Sequence, residues 1–301
     1  MAYQQLKGTG VALITPFQKN GSIDYPALEK LVTNVIKGGV DFLVALGTTA
    51  ETPTLTAEEK QAILSAIVKY GDGKVPVVCG IGGNNTDEVV HQLKKMNLQG
   101  VDGILSVAPY YNKPTQEGMY QHFKAIAEAV NLPIILYNVP GRSVADMSNE
   151  TVLRLAQIPN IVGLKDATGN IGRVIELLNL APKSFAVYSG DDPTAMALML
   201  CGGQGNISVT ANVAPRAMHD LCVAAMNGDV AKAIAINNRL IPLHSKLFVE
   251  PNPVPVKWAM AEMNLMPAGI RLPLVALAGE YHETVRAALR DSGIVLPVTS
   301  S

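Results

Sequence analysis

IVGLKDATGNIGRVIELL (Ile161–Leu178) holds the repeating unit of this chain in its clearest form. Ile161–Leu164 is a short apolar run, as a strand covered on both faces requires. The run ends on Lys165 and Asp166, turns at Gly169-Asn170 and enters a helical pattern over Ile171–Leu178. A lysine at such a strand end is unusual. An ammonium beside Ile, Val and Leu is costly to desolvate, so the neutral amine is expected to gain on the charged one. A neutral amine is a nucleophile, and toward a ketone it forms a Schiff base. The bland alternative is a lysine that snorkels to solvent, and on this stretch alone it is the commoner outcome.

Outward from this unit the same alternation recurs. Short β-rich runs stand at Gly10–Phe17, Phe42–Thr49, Val75–Ile81, Gly103–Tyr110, Pro133–Val139, Ile161–Ala167, Phe185–Gly190 and Gly205–Thr210. Between them lie amphipathic helical patterns. Leu28, Leu31, Val32, Val35 and Ile36 keep helical spacing until Gly38-Gly39. Thr56 and Glu59 have capping-box spacing ahead of Ile63, Ile67 and Val68, with Gly71 as the stop. Further helices are expected over Thr86–Met96, Gln116–Val130 and Asn149–Gln157. Eight strand-helix units, each the size of a βα unit, predict an α/β fold: a closed (β/α)8 TIM barrel. An open doubly wound sheet would want a glycine fingerprint after the first strand, and VALITPF is followed by none. After Thr210 the pattern is nearly all helical. It predicts a C-terminal helical extension, dividing the chain into a catalytic barrel, 1–224, and a helical part, 225–301, with EPNPVPVK (Glu250–Lys257) as an extended link.

Composition excludes several classes. Hydrophobic residues are 48% and charged residues 16%, so a large interior or an oligomer interface is implied. The net charge is −1, and no basic or aromatic-basic run suggests nucleic acid. Cys79, Cys201 and Cys222 lack CxxC spacing and read as buried free thiols of a reducing compartment. With no apolar run of membrane-spanning length and no apolar leader segment, a cytoplasmic protein is the expectation. The five histidines show no metal-ligand spacing.

In a barrel of this kind chemistry sits at the C-terminal ends of the strands. Those ends carry Thr15; Gly47, Thr48, Thr49, Ala50 and Glu51; Tyr110, Tyr111 and Asn112; Tyr137 to Arg142; Lys165; and Ser189 to Asp192. Each has a bland reading. The Thr pair could cap a helix, Tyr137 could be a core tyrosine with a wet hydroxyl, and Arg142 could be a surface residue. Asp191-Asp192 before Pro193 reads as a helix N-cap with a spare carboxylate. Jointly they suggest more: a Schiff-base lysine, a phenol and a Thr hydroxyl to relay protons, backbone N–H groups near the Thr pair for a keto-acid carboxylate, and an arginine for a second carboxylate.

GTTAE (Gly47–Glu51), YNVPGR (Tyr137–Arg142) and GLKDATGN (Gly163–Asn170) resemble the motifs of the pyruvate-dependent class I aldolase superfamily, which includes N-acetylneuraminate lyase. Within it they resemble the dihydrodipicolinate synthase family. The resemblance extends from GVALITPF at Gly10 through SGDD at Ser189 and ISVTAN at Ile207 to NPVPVKWA at Asn252. It implies a Schiff-base lyase that condenses pyruvate with L-aspartate 4-semialdehyde, in the diaminopimelate route of lysine biosynthesis, without metal or organic cofactor. It implies that Lys165 forms the imine and that Tyr137, Thr49 and Tyr111 relay protons, Tyr111 reaching into a neighbouring subunit of a homotetramer. Thr48 and Thr49 would bind the pyruvate carboxylate through their backbone, Arg142 the semialdehyde carboxylate, and Ile207 would offer its carbonyl near the lysine. Asn84, Glu88 and Tyr110 stand where a lysine effector would be held. Ala57 and Lys60 replace histidines of lysine-sensitive members, so weak or absent inhibition by lysine is expected. Ala50 departs from the family's usual Gly, which matters only if the position needs φ > 0 or a very close backbone approach.

Three rival readings differ from this one. A sugar-acid lyase of the N-acetylneuraminate or 2-keto-3-deoxygluconate type would not normally carry the Thr pair with the Gly-Arg turn. A silent keto-acid-binding barrel would lack the lysine or the phenol. A phosphate-binding barrel would want its glycines after the last strands, whereas Gly202, Gly203 and Gly205 precede the eighth.

Overall fold

The computed structural model describes residues 6–297. Eight strands are present: β1 (Gly8–Ala12), β2 (Phe42–Ala45), β3 (Val77–Gly80), β4 (Gly103–Val107), β5 (Ile134–Asn138), β6 (Ile161–Asp166), β7 (Ala186–Ser189) and β8 (Gly205–Ser208). They run parallel in sequence order, and β8 pairs back onto β1 to close the barrel. Phe42, Val44, Leu105, Ile135, Tyr188 and Ile207 fill its interior. The opposite faces of the same strands pack against the helices in a second, larger apolar cluster. Both faces are dry, which is why the strands read as continuous apolar runs rather than as alternations.

The strands end earlier than their apolar runs. β1 stops at Ala12 and β2 at Ala45, yet Leu13, Ile14 and Phe17 stay buried. Hydrophobicity reports burial, whereas strand pairing ends where the backbone turns away; after β2 it does so at Leu46, at φ 56°. The capping box forms as its spacing predicts: Thr56 N–H donates to Glu59 Oε2 (3.0 Å) and Glu59 N–H to Thr56 Oγ1 (3.2 Å). That helix runs through Gly71, and the left-handed residue closing it is Asp72, at φ 51°.

Beyond β8 come helices Pro215–Met226, Val230–Lys246, Val254–Glu262 and His282–Asp291. We propose the division into 1–224 and 225–301 as a description of architecture only, since helix Pro215–Met226 runs across residue 224. Two expectations need correction. EPNPVPVK is not an extended link throughout, because a helix starts at Val254. Pro255 sits in its first turn, where a missing N–H costs nothing. Cys201 is exposed, unlike Cys79 and Cys222, because it lies in the turn after helix Asp192–Leu200 and not on a packed face. Among the described residues no helix is long and apolar enough to cross a membrane.

The helical part is pinned to the barrel mouth by an ion pair. Lys257 and Glu51, 2% and 3% exposed, are in direct contact. Arg271 N–H donates to the other Glu51 oxygen at 3.1 Å, and Lys257 Nζ lies 4.2 Å from the centroid of the Phe17 ring. Burial lowers the Lys257 amine to about 8, with the Glu51 carboxylate opposing the shift. Removing one partner leaves a buried charge uncompensated, which costs about 3–5 kcal/mol. Glu51→Gln should therefore lower the denaturant midpoint strongly, and adding Lys257→Met should restore much of it. Equal midpoints for wild type and Glu51→Gln would refute the anchoring role.

Candidate active site

β5, β6 and β7 set Tyr137, Lys165 and Tyr188 side by side, since Lys165 is in register with both tyrosines. Lys165 is 6% exposed, and its Nζ lies 4.0 Å from the centroid of the Tyr137 ring. The two phenols differ. Tyr188 donates to the Leu6 carbonyl at 2.6 Å, and burial raises its pKa well above the ordinary value. It is spent as a structural group. Tyr137 lines the cavity at the mouth, beside the amine.

The turn after Lys165 is closed by its neighbour. Asp166 accepts from the Thr168 amide (2.9 Å) and hydroxyl (2.6 Å), so its carboxylate is engaged in the turn. Asn170 caps the following helix by accepting from Arg173 N–H. Gly190, after β7, makes the room that Lys165 occupies: a Cβ there would lie 2.7 Å from Lys165 Cε and 3.0 Å from its Cγ. Only a residue without a side chain admits this approach.

Thr48 and Thr49 lie in a 3-10 turn, Thr48–Ala50, that follows β2. Thr15 Oγ1 donates to the Ala50 carbonyl at 2.8 Å and holds the turn from beside β1. Ala50 replaces the family's usual glycine without strain, because the positive φ falls on the next residue, Glu51, at 55°. Thr49 is buried, and its hydroxyl accepts from Asn252 Nδ2 at 3.0 Å.

Arg142 stands exposed on the short helical turn Pro140–Ser143, with Nη2 donating to the Asn252 carbonyl at 2.9 Å. The loop that bears it is tied down by Asn138. That side chain donates to Asp146 Oδ1 (2.8 Å) and accepts from Met147 N–H (3.1 Å). Burial pushes the Asp146 carboxyl up, but hydrogen bonds from Arg173 and Asn138 outweigh it and hold the pKa below the usual value. Ile207 is buried on β8, and the backbone after it is fixed by Asp192. The Asp192 carboxylate accepts from Asn206 Nδ2 (2.8 Å), Val209 N–H (3.0 Å) and Thr210 N–H (2.9 Å). The expected spare carboxylate is thus fully employed, because a buried anion needs such donors.

A cavity of about 320 Å³ joins these parts. Thr48, Thr52, Lys60, Tyr110, Tyr137 and Arg142 are among the residues that line it. Lys165 reaches it through Tyr137, whose ring its amine faces at 4.0 Å, and Thr49 is next in sequence to the lining residue Thr48. Asn84 Nδ2 donates to the Tyr110 carbonyl (3.0 Å), while Glu88 is exposed on the helix Thr86–Lys95. Tyr111 is 87% exposed at φ 76° and is not brought to Lys165 within one chain. Asn252, Gly190 and Asp192 were not singled out as site residues from sequence. Asn252 carried one local signal, a polar residue between two prolines.

The chain matches the dihydrodipicolinate synthetase family over residues 5–292. It belongs to that family. It is 60% identical over 290 residues to the 4-hydroxy-tetrahydrodipicolinate synthase of Herminiimonas arsenicoxydans, covering 96% of this chain and 99% of that one. The crystal structure of the chloride-inhibited dihydrodipicolinate synthase from Acinetobacter baumannii, complexed with pyruvate, superposes with a TM-score of 0.95. It is 51% identical and covers 96% of this chain and 100% of that chain. A monomeric dihydrodipicolinate synthase variant, 40% identical, superposes with a TM-score of 0.94 over 97% of this chain and 99% of its own.

The contact at Gly190 gives a direct test. Gly190→Ala should push Lys165 aside and slow imine formation with a keto acid by about tenfold or more, at an overpacking cost of about 1–3 kcal/mol. Borohydride-trapped mass against time reads the first effect, and a melting curve the second. Trapping at the wild-type rate would show that Lys165 does not need this space.

Proposed function

We propose that this chain condenses pyruvate with L-aspartate 4-semialdehyde to give 4-hydroxy-tetrahydrodipicolinate, as a Schiff-base-forming lyase of the diaminopimelate route to lysine. The observation that carries this reading is Lys165, buried at the end of β6 with its amine against Tyr137. The full-length likeness to synthases of this name supports it.

In this reading Lys165 Nζ adds to C2 of pyruvate, and the carbinolamine loses water to give the imine. Tyr137 and Thr49, with Tyr111, carry the protons that these steps move. Loss of a C3 proton gives the enamine, whose C3 attacks the aldehyde carbon. The amino group of the former semialdehyde then adds to C2, the ring closes and the Lys165 amine leaves. The backbone of Thr48 and Thr49 holds the pyruvate carboxylate, and the Ile207 carbonyl stands near the lysine. Arg142 keeps unused donors in its guanidinium fork for the semialdehyde carboxylate. The iminium serves as the electron sink, so the sequence of steps uses no metal or organic cofactor. Buried thiols at Cys79 and Cys222 support a cytoplasmic location. Lys60 on the cavity wall supports weak or absent inhibition by a cationic effector such as lysine at Asn84, Glu88 and Tyr110.

Borohydride reduction with pyruvate, followed by peptide mapping, should label Lys165 alone. Arg142→Ala should keep that label while raising KM for the semialdehyde about tenfold or more, as loss of a charge-assisted contact implies. Label on another lysine would overturn the mechanism, and loss of label in Arg142→Ala would give Arg142 a structural role.

We further propose a homotetramer, a dimer of dimers, in which Tyr111 completes a neighbour's relay. The exposed Tyr110-Tyr111 turn, braced by Asn112 Nδ2 donating to the Asn84 carbonyl at 2.8 Å, supports this. Sedimentation should give a tetramer, and Tyr111→Phe should lower kcat about tenfold or more, within the range for a lost general acid–base group. A fully active monomer would refute it.

A further inference from the structure

Arg142 and Thr49 lie on different loops of the mouth, and both hydrogen-bond to the same residue. Asn252, 6% exposed, donates from Nδ2 to Thr49 Oγ1 and accepts at its backbone carbonyl from Arg142 Nη2. It comes from the helical part, 203 residues from Thr49 and 110 from Arg142. Its own position is fixed a turn further on, where Lys257 meets Glu51. The segment from Asn252 to Lys257 therefore grips the Thr48–Glu51 turn at two points.

We propose that Asn252 is a positioning residue whose side-chain amide orients the Thr49 hydroxyl for the proton relay, while its backbone carbonyl tethers Arg142. The chemistry follows from the hydroxyl's capacity. A threonine oxygen has two lone pairs and one proton. The Asn252 amide fills one lone pair. That leaves one lone pair to receive a proton and one O–H to pass a proton on, which is what a relay member needs. Without the amide, the hydroxyl is free to rotate, and its proton has no set direction. The contact with Arg142 is through the backbone. Arg142 sits on an exposed turn of only four residues, and the Asn252 carbonyl restrains its guanidinium while leaving other N–H groups for a carboxylate. The Asn252 Oδ1 is buried without a partner among the described residues. Bare side-chain packing would not retain an amide whose second end is unsatisfied, since that end costs stability. The Nδ2 bond to Thr49 is what the amide contributes.

This inference rests on the proposed reaction, and the experiment separates the two. Wild-type turnover of pyruvate and L-aspartate 4-semialdehyde tests the reaction itself. The ratios of variants to wild type test Asn252. Asn252→Ala removes the amide but keeps the backbone carbonyl that Arg142 meets, so it should lower kcat about tenfold, the size of one hydrogen bond, with little change in KM for the semialdehyde, while pyruvate trapping at Lys165 persists. In a Thr49→Val background the kcat loss from Asn252→Ala should vanish, and in an Arg142→Ala background it should persist. Asn252→Asp keeps the size but removes the donor. It should lose kcat like the alanine variant and so covers the case in which that variant folds poorly. An undiminished kcat loss in the Thr49→Val background, or wild-type kcat in Asn252→Asp, would overturn the proposal.

Discussion

Two lysines are buried among the described residues, and the structure depends on their being treated differently. Lys257 is 2% exposed and meets the Glu51 carboxylate; Lys165 is 6% exposed and, among the described residues, has no carboxylate within ion-pair distance. A buried amine with a counter-ion is an anchor, because its charge is neutralised where it stands. A buried amine without one is held instead by shape: the Tyr137 ring on one side and the space above Gly190 on the other. Such an amine is available to a carbonyl group, and an ion-paired one is not. A single carboxylate thus separates the anchored amine from the one proposed as nucleophile.

The same carboxylate links the helical part to the mouth. Glu51 ends the turn that bears Thr48 and Thr49, at a left-handed φ of 55° that a non-glycine residue adopts only when its surroundings impose it. Here the surroundings are Lys257 and the Arg271 amide. Phe17 lies under both cations, with the Arg271 guanidinium carbon 4.3 Å from its ring centroid. The helices after β8 therefore do more than cover the barrel. They complete the turn on which a keto-acid carboxylate would rest, and through Asn252 they reach Thr49 and Arg142 as well.

Much of the polar chemistry at the strand ends is consumed in holding shape. Asp166 closes the turn after Lys165, Asp192 gathers three donors beneath β8, and Asn138 ties the Arg142 loop to Asp146 and Met147. Outside those bonds stand the Lys165 amine, the Tyr137 phenol and part of the Arg142 guanidinium, while the Thr49 hydroxyl keeps a proton and a lone pair beside its bond from Asn252. Reactive capacity is recognised here by subtraction, since a carboxylate that accepts two or three hydrogen bonds is a poor candidate for proton transfer.

The eight strand-helix units, the capping box at Thr56 and the placing of Lys165, Tyr137 and Arg142 at strand ends were all determined by local sequence. Their cause is local: apolar periodicity records which faces are dry, and Gly, Asn and Thr record where the backbone must turn. The departure at Ala50 was visible too, but not its consequence, because only the folded turn assigns the positive φ to Glu51. The tertiary structure alone decided that Tyr188 is spent on Leu6, that Gly190 makes room for Lys165, and that Asn252 and Lys257 meet Thr49 and Glu51. Those last contacts join residues 203 and 206 positions apart. No periodicity spans such a distance; closing the barrel and packing the last helices against Asp192–Leu200 and Pro215–Met226 brings the groups together.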